Sequence, residues 1–139
     1  MSTLTAKAQR VEVIARLNYR CRLGLDRTGR DVITRTCLAT FSEEQLPTRI
    51  VAQAEILAAI RKHRFPEDDA SPRDRGHVEY RGTKVYFAID AYDLDLVYGS
   101  EDPADASVSR RVMTIMVRED VTSKFAYSRN ELTPLSLIC

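Results

Sequence analysis

The chain has 139 residues, of which 29% are charged, and its formal net charge is +1 at pH 7. This length fits one domain that buries roughly two-thirds of its unfolded surface and folds without disulfides or metals. The near-neutral total excludes whole-molecule electrostatic attraction to duplex DNA or to anionic membranes, and no apolar run approaches the ~18 residues that span a bilayer.

The first predicted elements are a helix and a strand. Apolar residues recur at three- and four-residue spacing after Thr5, which predicts an amphipathic helix to about Arg22, ended by Gly24. A turn is predicted at 28–30. The β-branched residues that follow predict a strand over 31–38.

A second helix is predicted from Ser42 to about His63. The SerGluGluGln sequence at 42–45 has the form of a capping box. Pro47 either lies in the first turn or separates a short helix, and an apolar stripe continues beyond it. Residues 65–76 are polar and include two prolines and a final glycine, which predicts an exposed loop.

The clearest strand signal is a β-hairpin, with strands at 77–80 and 84–90 joined by a turn at 81–83. Alternation places three apolar residues of its second strand on one face: Val85, Phe87 and Ile89. Residues 111–117 are apolar on both sides, which predicts a central strand or a buried helical turn and favours the strand.

These elements predict one α+β domain over residues 1–119, with two helices packed on one face of a mostly antiparallel, four-stranded sheet. Residues 120–139 are predicted to be a C-terminal extension, either a tail or an added edge strand. Cys21 and Cys37 lie on apolar faces and are predicted to be buried, free thiols. The three cysteines form no CxxC pair and no signal peptide precedes them, which predicts a cytoplasmic protein.

The most distinctive segment lies between the hairpin and the last predicted strand. It carries six carboxylates within residues 90–105 and no lysine or arginine: Asp90, Asp93, Asp95, Glu101, Asp102 and Asp105. Residues 1–37, by contrast, hold eight basic and three acidic residues, so the molecule is predicted to be electrically two-sided. Clustered carboxylates pair well with guanidinium groups, and Tyr92 and Tyr98 add aromatic area typical of interfaces.

Other chemistries fit this pattern less well. The spacing of Gly99 and Glu101 does not match a calcium loop that begins at Asp90 or Asp93. General acid–base catalysis needs a carboxylate in a dry pocket, which so charged a loop does not predict. The sequence therefore predicts no catalytic residue, metal or cofactor.

Direct nucleic-acid binding is also not expected from the sequence. The basic first helix carries Arg16, Arg20 and Arg22, but it lacks the interleaved aromatic residues of a platform for single strands.

The chain resembles a family of short bacterial proteins, domain of unknown function three-seven-six-eight, on residues scattered along most of its length. Those in its first half are Ile14, Ala15, Leu17, Asn18, Thr34 and Arg35. The densest block comprises Ile89, Asp90, Tyr92, Asp93, Gly99, Ser100, Asp102, Pro103, Ala104, Asp105, Arg111, Val112, Thr114, Ile115 and Met116. The chain runs about twenty residues past the usual end of the family pattern.

The resemblance also has functional implications. Relatives usually have Glu, His, Asp, Phe and Gly just before the hairpin, where this chain has Pro72, Arg73, Asp74, Arg75 and Gly76. If that histidine were catalytic or metal-binding, its role would be missing here, which favours a binding protein. Such genes often lie near anti-restriction genes on mobile elements, so the resemblance implies an accessory or anti-defence role.

The expected function is therefore a non-enzymatic inhibitor or adaptor from a mobile element, anti-CRISPR or anti-restriction, that docks on a basic surface of a host protein complex. The alternatives are a small enzyme that uses Asp90 or Asp93 with Arg111, and a structural homodimer.

Overall fold

The computed structural model describes residues 5–41, 46–123 and 132–134. Four helices and five strands lie within these residues. In chain order they are α1 Ala6–Arg22, β1 Arg30–Thr34, α2 Arg35–Phe41, α3 Leu46–Lys62, β2 Arg75–Tyr80, β3 Thr83–Tyr92, β4 Arg110–Met116, α4 Arg118–Ser123 and β5 Leu132–Pro134. Among these helices, none is both long and apolar enough to cross a membrane.

The strands form one mixed sheet in the order β2-β3-β4-β1-β5. β1 runs parallel to β4, whereas the β2–β3, β3–β4 and β1–β5 pairs are antiparallel. The fold is thus α+β, as the sequence predicted. The expected sheet had four strands, and the described residues contain a fifth, Leu132–Pro134, at the edge beside β1. The predicted domain boundary at residue 119 stays a prediction.

The strand predicted over 31–38 is wrong in its second half. β1 ends at Thr34, and α2 begins at the next residue. The Thr34 hydroxyl accepts a hydrogen bond from the amide of Cys37 at 3.1 Å, which is the geometry of a helix N-cap. The predicted capping box at 42–45 lies outside the described residues.

The predicted hairpin is present, but its strands are longer than predicted: β2 begins at Arg75, inside the predicted loop, and β3 runs from Thr83 to Tyr92. Tyr80 pairs with Thr83, and both residues of the turn, Arg81 and Gly82, have positive φ angles of 50° and 79°. Two positive φ values are typical of the tight turns that match the twist of a hairpin.

One hydrophobic core joins the sheet to the helices. Its members from the helices include Cys21 of α1, Cys37 of α2 and Ile56 of α3. Its members from β1, β3 and β4 are Ile33 and the alternate residues Val85, Phe87, Ile89, Met113 and Ile115, and the core also includes Tyr80 of β2 and Val117 just after β4. The apolar face predicted for the hairpin is therefore confirmed, since Val85, Phe87 and Ile89 are all buried.

The two thiols titrate far above neutral pH. Cys21 and Cys37 are free and buried, as predicted, and burial raises the pKa of each to about 12. Because an unfolded thiol ionises near pH 9, the unfolded state loses these protons first as the pH rises. We expect the free energy of unfolding to fall by about 1.4 kcal/mol per pH unit per thiol between pH 9 and 12, and to be unaffected by the thiols below pH 9.

Urea denaturation at pH 8.0 and at intervals to about pH 10.5 measures this slope. The double variant Cys21→Ala/Cys37→Ala serves as the control, since it keeps every lysine and tyrosine that also titrates. An equal alkaline slope in the wild type and the variant contradicts the prediction.

Candidate functional site

Most of the predicted acidic segment lies in a long loop between β3 and β4, residues 93–109, called the acidic loop below, whereas Asp90 lies on β3. Its first turn is closed by a bridge between Tyr92 and Gly99 and by a 2.8 Å hydrogen bond from the amide of Asp93 to the carbonyl of Tyr98. The Asp93 carboxylate accepts hydrogen bonds from the amides of Val97 at 2.9 Å and Tyr98 at 3.3 Å. Asp93 therefore shapes the turn from inside.

The second part of the loop is built from serine and aspartate turns. The Asp105 carboxylate accepts hydrogen bonds from the amide and hydroxyl of Ser107 at 2.9 and 2.6 Å, and these bonds lower the pKa of Asp105. The hydroxyls of Ser100 and Ser109 lie 2.6 Å apart, and Ser109 also donates to the carbonyl of Asp102 at 2.8 Å. Short polar side chains thus replace regular backbone pairing here.

Two predicted site carboxylates pair with arginines of the same chain. Asp102 lies 2.6 Å from Arg10 of α1, and Asp90, on β3, lies 3.4 Å from Arg75 of β2. Both pairs are partly exposed. The acidic charge is therefore partly balanced within the molecule, by two residues that are distant in sequence.

The remaining predicted residues differ in exposure. Asp95 and Glu101 are exposed, and no described residue forms a hydrogen bond or ion pair with either. Tyr98 is 74% exposed, whereas Tyr92 is half-buried at the end of β3. Asp105 is also exposed, but its carboxylate accepts hydrogen bonds from Ser107. The exposed predicted carboxylates without a hydrogen-bond or ion-pair partner among the described residues are thus Asp95 and Glu101.

Two apolar residues beside Tyr98 were missed by the sequence analysis. Leu94 and Val97 are 54% and 55% exposed in the same turn. We call Leu94, Asp95, Val97 and Tyr98 the loop tip. The signal available in the sequence was the run LeuAspLeuValTyr at 94–98, which is too apolar for a loop whose only role is to connect two strands.

A buried arginine anchors the loop to α1. Arg111 of β4 is 2% exposed, and it donates from Nε to the side-chain oxygen of Asn18 at 2.7 Å and from a terminal nitrogen to the carbonyl of Pro103 at 2.5 Å. Asn18 in turn donates to the carbonyl of Pro72 at 3.0 Å. One side-chain pair therefore joins the acidic loop, α1 and the segment before β2.

The structure does not bring together the residues of the enzyme alternative. Arg111 pairs in register with Ala91, and Asp90 pairs with Val112, so the side chains of Asp90 and Arg111 lie on opposite faces of the sheet. The Asp93 carboxylate is engaged by loop amides. Within the described ranges, no three His, Cys, Asp or Glu side chains are grouped so that they could hold a metal ion.

These features define a small α+β protein with a loop that is anchored to a helix and exposes apolar and acidic side chains. A family model described as "Protein of unknown function (DUF3768)" matches residues 34–120. The chain belongs to this family. The similarity noted at residues 14–18 lies outside the matched range, as do residues 121–139. Neither the curated proteins nor the solved structures contain a match to the chain.

Proposed function

We propose that this chain is a non-enzymatic binding protein, an inhibitor or adaptor, that docks through the loop tip onto a partner protein. The observation that carries the proposal is the exposure of three large apolar side chains, Leu94, Val97 and Tyr98, in one turn beside an exposed carboxylate. Large apolar side chains grouped on a surface are typical of an interaction site, and they are not expected in a loop that only connects β3 to β4.

The turn that carries these side chains is ordered before any partner binds. The Asp93 carboxylate holds two of its amides, and Leu96 adopts a positive φ of 60°, which is uncommon for a residue with a side chain. A preorganised turn loses little conformational entropy on binding.

The charge distribution favours a partner with a basic surface. Asp95 and Glu101 are available at and beside the loop tip, while Asp90 and Asp102 already pair with arginines. The proposed contact is therefore an aromatic and aliphatic centre with an acidic rim. The rim would steer association with a cationic partner and make its rate depend on salt.

Within this proposal, the partner is a host protein complex with a basic surface. The biological role that we propose is anti-defence, against CRISPR effectors or restriction enzymes. In a bacterium with an active CRISPR system, expression of the wild-type chain should then restore plating of a targeted phage, and a variant with a disrupted loop tip should not.

The direct test is quantitative affinity capture from the source lysate with three proteins besides the wild type. The tip variant is Leu94→Ser/Val97→Ser/Tyr98→Ser, and the rim variant is Asp95→Ser/Glu101→Ser. Glu67→Ser/Asp68→Ser is the matched control, because it removes two exposed acids from another loop.

We expect one enriched partner, with recovery reduced about tenfold or more by the tip variant, less by the rim variant and not at all by the control. Equal recovery with the tip variant and the control, or no enriched partner, contradicts the proposal. Analytical ultracentrifugation of the purified chain separates the homodimer alternative, which predicts a concentration-dependent dimer that the tip variant does not change.

A further inference from the structure

An open groove of about 780 Å³ lies between α1 and the C-terminal end of α3. We call it the basic groove. None of its lining residues is acidic, and six are cationic: Arg16, Arg22, Arg61, Lys62, Arg64 and Arg73. No feature of the proposed loop-tip interaction uses it.

Carboxylates balance only part of this charge. Glu12 pairs with Arg73, and Asp31 lies 4.0 Å from Arg61. Arg16, Lys62 and Arg64 are exposed, and no described residue forms an ion pair with them. The groove therefore carries a local excess of positive charge, although the chain as a whole is close to neutral.

The floor of the groove contains a buried cation. Arg22 is 4% exposed and donates to the carbonyls of Ile60 and His63, at 2.9 and 2.8 Å, where α3 ends. Within the described part of the chain it has no carboxylate partner. A buried charge without an opposite charge is costly, and an anion in the groove would reduce that cost.

Two aromatic rings lie beside this cation. The guanidinium carbon of Arg22 is 5.6 Å from the ring centroid of Tyr19 and 5.5 Å from that of Phe65. Tyr19 is nevertheless 53% exposed, so its ring is supported by Arg22 and still accessible to a ligand. The prediction against nucleic acid overlooked Tyr19, which lies between Arg16 and Arg20 in α1. Tertiary structure adds a second ring, Phe65, from the segment after α3.

We propose that the basic groove binds single-stranded nucleic acid, with a base stacked on Tyr19 and neighbouring phosphates bound by Arg16, Lys62 and Arg64. Grooves for single strands combine these two features, a positive track for the backbone and aromatic faces for the bases. The cations occupy both walls, on α1 and at the end of α3, which suits successive phosphates of a chain better than one small anion.

Fluorescence anisotropy with a labelled 12-nucleotide single strand, as DNA and as RNA, tests the proposal between 50 and 200 mM NaCl. The groove variant is Arg16→Gln/Lys62→Gln/Arg64→Gln. Arg30→Gln/Arg35→Gln/Lys84→Gln is its matched control, because it removes the same charges from exposed positions outside the groove. Tyr19→Ser tests stacking separately. Circular dichroism and melting curves verify that all variants fold.

We expect the groove variant to bind at least about tenfold more weakly, with the slope of log K against log salt shallower by about 2, since each phosphate contact to a single strand contributes about 0.7. Tyr19→Ser should weaken binding about tenfold at an unchanged salt slope. The control should bind like the wild type.

Several outcomes overturn the proposal. They are no binding at 50 mM NaCl, an equal loss in the control, wild-type affinity in the groove variant, or tighter binding of the matching duplex. Displacement of the strand by equimolar inorganic phosphate or mononucleotide would also overturn it, because the groove would then be a site for a small anion. None of these outcomes depends on the loop-tip proposal, whose variants lie elsewhere.

Discussion

Replacing Arg111 with leucine is expected to lower the free energy of unfolding by about 3 kcal/mol, which corresponds to a drop of about 10 °C in the melting temperature. The substitution leaves the side-chain oxygen of Asn18 and the carbonyl of Pro103 without their donor in a largely buried place. Each unpaired buried acceptor costs about 1–3 kcal/mol, partly offset because the buried guanidinium no longer has to be desolvated.

Urea titration measures the loss, and Arg110→Leu is the matched control. Arg110 is the preceding residue of β4 and is half-buried; it donates a long hydrogen bond of 3.4 Å to the carbonyl of Thr28. Its replacement should change the unfolding free energy by about 0.5 kcal/mol or less. Arg111→Lys should lower the unfolding free energy by an amount between those of Arg111→Leu and Arg110→Leu, since the lysine ammonium does not reproduce the planar set of guanidinium donors.

Hydrogen exchange gives a second reading of the same substitution. Because Arg111 ties the acidic loop to α1, its loss should speed exchange of the amides of Ala104 and Asp105 more than those of β3. If Arg111→Leu is as stable as Arg110→Leu, or if exchange of the loop is unchanged, Arg111 is not the anchor that its geometry indicates.

The second large effect is expected from Asp120→Ala, which should lower the free energy of unfolding by about 3 kcal/mol. Asp120 is 1% exposed, and its carboxylate accepts hydrogen bonds from the Thr34 hydroxyl at 2.6 Å and the Val117 amide at 3.2 Å. Alanine leaves both donors buried without this acceptor, and hydrogen bonds to charged groups are stronger than neutral ones.

The neighbouring Glu119→Ala is the control, because it removes the same charge from an exposed position. Asp120→Asn keeps the size of the side chain and one acceptor oxygen, so it should lower the unfolding free energy by about half as much as Asp120→Ala. The double variant with Thr34→Val should lose less than the sum of the single losses, by about 1 kcal/mol, because both substitutions break the same contact. Strict additivity in this cycle contradicts a direct contact between Thr34 and Asp120.

Sequence reasoning succeeded where the determining interactions are local. The hairpin follows from alternation and from a turn whose residues adopt positive φ. Helix α1 follows from apolar spacing with Thr5 as its N-cap, whose hydroxyl accepts a hydrogen bond from the amide of Ala8 at 3.1 Å.

The strand predicted to extend to residue 38 was wrong because Thr34 ends β1 and caps α2. The Thr34 hydroxyl also donates to Asp120, at the other end of the matched region. The parallel pairing of β1 with β4 likewise joins distant segments and has no local signature.

The candidate sites divide in the same way. The density of carboxylates over residues 90–105 could be read directly, but which of them turn outward depended on Arg10, Arg75 and the amides of the acidic loop. Only the α1 wall of the basic groove, with Arg16, Tyr19 and Arg22, could be read from the sequence. The other wall includes Lys62 and Arg64, which only folding brings beside α1.

By itself, then, the sequence determined the α+β class, the hairpin, the buried thiols and the position of the acidic loop, because periodicity and composition act over a few neighbouring residues. Tertiary structure alone decided the order of the strands, the anchoring of the loop by Arg111 and the approach of the C-terminal end of α3 to the basic face of α1. These depend on contacts between residues far apart in the chain, and the free energy of such a contact is set by burial and geometry that exist only once the core has formed.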